Sequence, residues 1–160
     1  MKILSRLMLI ACLVLPFAAC KKEAPVVAEK PAVSAPKNED TAAWHEYMAD
    51  VVQRNQDGSA SQFGYFLPGE STPDFQGEYD RLAEKAKEDV GRGIVAGNML
   101  AYGSPASAKM ADLIVGAFKD VPPGSMKGVK VLFIGKAEDS DRVKAAVAPA
   151  GVDYKFVEAK

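Results

Sequence analysis

The run Gly103-Ser104-Pro105-Ala106-Ser107 places two hydroxyls where an apolar stretch gives way to a helical pattern. Such a strand-to-helix turn presents free N–H groups and the positive end of a helix dipole, which attract anions. In open parallel sheets, ligands also bind beyond the carboxyl ends of the strands. Gly103, Ser104 and Ser107 are therefore the candidate ligand turn, with anion binding or a small hydrolytic activity as the chemistry. The run lacks the glycine spacing of a phosphate loop, and Ser104-Pro105 equally reads as a helix cap followed by its first turn. The turn Gly135-Lys136-Ala137-Glu138-Asp139-Ser140-Asp141 has the opposite sign. Its carboxylates compensate a helix dipole and repel phosphate, and their order is not that of a calcium-binding EF-hand loop.

His45 is the single histidine, and His45-Glu46 lies on a helical stretch with Asp50 one turn later. Ala49 stands where a two-histidine zinc motif needs its second ligand, so this group reads as a solvated helix face. No residue is assigned as catalytic, no metal ligand is identified and no cofactor is implied. Trp44, Phe63, Tyr65 and Phe66 are aromatic residues of the kind that anchor interfaces or fill cores. If 57–72 is a long irregular loop, its Tyr65-Phe66-Leu67 tip is the candidate contact for a protein partner.

These residues must be held by alternating elements. Trp44, Met48, Val51 and Val52 mark one face of a helix from Thr41 to about Gln56, which Asp57-Gly58-Ser59 ends. Gln62 to Leu67 fits a short strand or an aromatic loop. Thr72-Pro73 opens an amphipathic helix carrying Phe75, Tyr79, Leu82, Ala86 and Val90, with Gly91 as its stop. Ile94 to Tyr102 is an apolar run interrupted by Gly97-Asn98, and Met110, Leu113, Ile114, Ala117 and Phe118 form the stripe of the next helix. Val129 to Ile134 is nearly continuous in apolar residues, as in a strand covered on both faces. A helix from about Asp139 to Ala148 and a strand from Val152 to Val157 complete the order. This alternation predicts an α/β three-layer sandwich with a three- to four-stranded, mostly parallel sheet. A ferredoxin-like α+β arrangement is the alternative if Gly97-Asn98 splits its run into two strands.

The 160 residues include 20 basic and 21 acidic side chains. With Lys2 and Arg6 at the start and four of each sign in 21–40, residues 41–160 keep 14 basic and 17 acidic, a net −3. That balance gives no clustered basic face for nucleic acid. Residues 21–40, KKEAPVVAEKPAVSAPKNED, have prolines at 25, 31 and 36 and no helical or strand period. They read as a semi-rigid tether in front of a single domain, 41–160.

Lys2 and Arg6, the apolar stretch from Leu7 to Phe17 and the small residues Ala18-Ala19 before Cys20 have the layout of a cleavable secretion signal. The apolar stretch is about eleven residues, against roughly 20 for a spanning helix. A plain secretory signal fits the same layout. The segment resembles a bacterial lipoprotein signal. That resemblance implies removal of 1–19, lipid on the Cys20 thiol and attachment to the cell envelope. With Lys21 rather than Asp after the cysteine, it further implies the periplasmic face of the outer membrane. Cys12 would leave with the leader, so residues 41–160 contain no cysteine for a disulfide or a thiol nucleophile. The expected function is a membrane-anchored, non-catalytic protein-binding or accessory subunit of an envelope assembly. An inhibitor or immunity-type lipoprotein is one alternative, and a small hydrolase or anion-binding enzyme using Ser104 or Ser107 is the other.

Overall fold

The computed structural model describes residues 31–160. The leader, Cys20 and the first half of the tether lie outside the described residues. Helix α1 (Thr41–Asn55) is followed by β1 (Gln62–Phe66), α2 (Phe75–Arg92), β2 (Met99–Gly103), α3 (Ser107–Phe118), β3 (Lys130–Gly135), α4 (Ala137–Val147), a short 3-10 turn (Ala148–Ala150) and β4 (Asp153–Glu158). The strands form one parallel sheet in the order β1-β2-β3-β4. Gln62 pairs with Met99, Met99 with Lys130, and Lys130 with Asp153, so the register runs straight across.

Because each crossover moves one strand further in the same direction and is right-handed, α2, α3 and α4 must share one face. Their side chains do so. Val90, Met110, Ile114, Val143 and Val147 pack with Leu100, Tyr102, Val131 and Phe133. The alternate residues Met99, Ala101, Leu132 and Ile134 face the other side, against Trp44, Tyr47, Met48 and Val51 of α1. The fold is therefore an α/β sandwich of three layers. The central strands are buried on both faces, which is why their sequences are unbroken apolar runs.

Several boundaries have local causes. Asp40 caps α1, its carboxylate accepting from the Ala43 N–H at 2.8 Å. Thr72-Pro73 forms a turn, with Phe75 N–H donating to the Thr72 carbonyl, and α2 begins only after Asp74, in a left-handed conformation at φ 59°. Its stop is Gly93 at φ 85°, two residues beyond the glycine expected from the sequence. Gly97, at φ 87°, lies in a turn before β2, its N–H bonded to the Gly128 carbonyl. The run therefore yields one strand, and the ferredoxin-like alternative falls.

The compact unit begins at Pro31, so residues 31–40 belong with the body rather than with a free tether. Val33 and Ala35 pack against the α1 layer, and the Val33 N–H donates to Asp50 at 3.1 Å. The Trp44 indole N–H donates to the Asn38 carbonyl at 2.8 Å.

Candidate functional site

At the carboxyl edge of the sheet, β2 delivers Gly103 and Ser104 into the turn before α3. Beside it, β3 delivers Gly135 and Lys136 into the turn before α4. Ser104 is buried, and its hydroxyl accepts from the Ala106 N–H at 2.8 Å, closing the turn. Ser107 is only 3% exposed. Its hydroxyl donates to the Asp139 carboxylate at 2.6 Å and accepts from the Lys136 N–H at 2.8 Å. This one side chain thus ties the start of α3 to the start of α4.

Asp139, 5% exposed, is held from its other side by Arg142, whose Nε and terminal nitrogen reach it at 3.1 and 2.8 Å. Arg142 also donates to the Ala108 carbonyl at 2.7 Å and pairs with Asp112 of α3. The hydrogen bond from Asp112 leads the interactions that raise the Arg142 pKa and keep it charged. Gly135 makes the approach possible. A Cβ there would come within 2.6 Å of both the Ser107 hydroxyl and the Phe133 ring.

Above this clasp is a crevice of about 270 Å³ bordered by Lys37, Asn38, Trp44, Ser104, Ser107 and Lys136. Chemically, it offers two lysines, Glu39 at its border and the backbone of two helix starts. The carboxylate that receives the Ser107 hydrogen bond is itself ion-paired with Arg142. His45 packs edge-to-face on Phe66, centroids 4.2 Å apart, and borders a different groove. Glu39 is turned toward Ser71, whose hydroxyl and N–H hydrogen bonds lower its pKa.

The structure corrects the proposed partner contact. Tyr65 and Leu67 are core residues and Phe66 is half-buried, because 62–66 is a strand and not the tip of a long loop. The Tyr65 ring stacks on Tyr102 at 4.5 Å, and its hydroxyl donates to Asp89 at 2.8 Å. Burial first, then the Asp89 hydrogen bond and charge, raise the Tyr65 pKa. Asp89 resists its own desolvation, and its bonds with Lys85, Tyr65 and Arg92 leave its pKa lowered.

The Tyr102 hydroxyl is buried with no hydrogen-bond partner among the described residues. An unmet buried hydroxyl costs roughly 1–3 kcal/mol. Tyr102→Phe is therefore expected to raise stability by about 1 kcal/mol, read as a higher urea midpoint at unchanged slope. A loss of stability would mean that the hydroxyl is bonded.

The sequence reading found Ser107 and assigned Asp139 to dipole compensation, but missed the bond between them and the part of Arg142. Asp139 and Arg142 stand at i and i+3 in α4, a detectable spacing. Ser107 and Asp112 of α3 meet this α4 pair only through the fold. Among the described residues, no three His, Cys, Asp or Glu side chains gather as a metal cage requires, and no helix is long and apolar enough to cross a membrane. No family model, curated protein or solved structure matches this chain.

Proposed function

We propose that the chain is a lipoprotein of the bacterial envelope, anchored through lipid on Cys20 at the periplasmic face of the outer membrane. In this proposal its domain is a non-catalytic subunit that binds a protein partner in an envelope assembly. The anchoring part rests on the order of charged, apolar and small residues before Cys20. One structural observation favours a binding role over a chemical one. At the sheet edge where α/β proteins carry their chemistry, Ser107, Asp139 and Arg142 are engaged with one another. The strand order reinforces this, because β1-β2-β3-β4 never reverses and so opens no cleft between oppositely directed crossovers.

The test compares cells producing the wild-type chain with cells producing Cys20→Ala, by fractionation after mild cross-linking. The wild-type chain is expected in salt-washed membranes, cross-linked to a specific envelope protein. Cys20→Ala is expected folded in the soluble periplasm. Retention of Cys20→Ala in the membrane would remove the anchor from the proposal, and a wild-type chain without a reproducible cross-link would remove the partner.

A further inference from the structure

The two edges of the sheet are guarded differently. On β4, Asp153, Lys155 and Glu158 place charges along the edge, a common defence against strand addition. β1, the opposite edge, reads Gln62-Phe63-Gly64-Tyr65-Phe66 and has no charge. Its inner side is taken by β2: the Met99 N–H bonds to Ser61 and the Leu67 N–H to Gly103. By the alternation of a parallel ladder, Gln62, Gly64 and Phe66 then turn their peptide groups outward, where the described residues add no further strand. The faces beside this edge differ: the α1 side is largely apolar, while on the α2 side Lys85 lies over the Tyr65 ring and pairs, with Arg92, to Asp89. On the α1 side lies an open groove of about 400 Å³ bordered by His45, Met48, Val52, Gly64 and Phe66. On the α2 side Phe63 is 40% exposed, unusual for so large an apolar side chain.

We propose that β1 pairs with β1 of a second copy of this chain, antiparallel about a two-fold axis through Gly64, to give one sheet continuous across both copies. Charge argues for a second copy as the occupant. About a two-fold axis the residue on the dyad meets its own image, and a charge close to it lies near its like. The segment from Gln62 to Phe66 has no charge to repel. The strand is centred on Gly64, so only this register overlaps its full length. Outward-facing Gln62 then lies opposite outward-facing Phe66 of the other copy. Gly64 lies opposite Gly64, with no side chain to separate the backbones. Phe63, opposite position 65 of the second copy, loses part of its exposure in the pair. The charged β4 edges remain outermost and stop further addition, so the assembly closes at two. This pairing goes beyond the function proposed above and does not rest on it.

The test uses the full chain, purified in detergent, with Gly64→Cys. A Cβ at Gly64 meets only Met48 Cε, at 3.8 Å, so the fold accommodates it. Directly opposed residues in a hydrogen-bonded antiparallel pair have Cα atoms about 5.5 Å apart, within disulfide range. Under mild oxidation Gly64→Cys is expected to give a disulfide-linked dimer several-fold above the parent chain, whose own cysteines set the background. Lys155→Cys on β4 is expected to stay at background. In density-matched detergent the wild-type chain should sediment as a dimer, and Gly64→Glu, which sets two like charges face to face, as a folded monomer. A monomeric wild-type chain would overturn the proposal. So would equal cross-linking at positions 64 and 155, or growth into larger species.

Discussion

Asp139→Ala is expected to lower the free energy of unfolding by about 2–3 kcal/mol. The carboxylate joins three elements of the clasp: the Ser107 hydroxyl at the start of α3, its own helix α4, and the Arg142 guanidinium. Removing it leaves a buried hydroxyl without its acceptor and a guanidinium without its more buried partner. Arg142 keeps Asp112 and is about a third exposed, so solvent screens part of the loss and the upper end of the range for buried pairs is not reached. The expected observable is a lower urea midpoint with an unchanged slope, since the exposed surface of the unfolded chain stays the same.

Trp44→Ala has the other large expected effect, about 3–4 kcal/mol. In the described residues α1 is the only helix on its face of the sheet, and Trp44 is its largest buried side chain there. The indole packs edge-on against Tyr47, centroids 5.7 Å apart, and its N–H holds the Asn38 carbonyl. Truncation therefore opens a cavity under α1 and also frees the segment from Pro31 to Asp40. Two readouts are expected together: a lower melting temperature and faster proteolysis at Lys37 under native conditions. A stability loss below about 1 kcal/mol with unchanged cleavage would show that the segment is held by other contacts.

The α/β alternation was legible because each buried element carries its period openly. β3 is an apolar run, and α3 repeats its stripe at Met110, Leu113, Ile114 and Ala117. Strand order was not legible, since it depends on where each crossover lands. β1 was ambiguous for a physical reason: Gly64 interrupts its pattern, and as an edge strand it buries only part of its length. The same ambiguity placed Tyr65 and Leu67 at a loop tip, although both point into the core. Residues 31–40 looked like tether because Val33 and Ala35 are too few to set a period, and only the folded α1 layer gives them something to pack on. Ser107 was found for its place at a strand-to-helix turn. Its true neighbour Asp139 is 32 residues away in sequence, beyond the reach of any local spacing rule.

The central claim is that Ser107, Asp139 and Arg142 at the carboxyl edge of the sheet hold the fold together. Groups kept for chemistry often cost stability, so removing them tends to leave a protein as stable or more so. The urea unfolding curve of Asp139→Ala therefore tests the claim most directly. A midpoint well below wild type at equal slope is the predicted result. A midpoint equal to or above wild type would contradict it and return Ser107 and Asp139 to consideration as a chemical site.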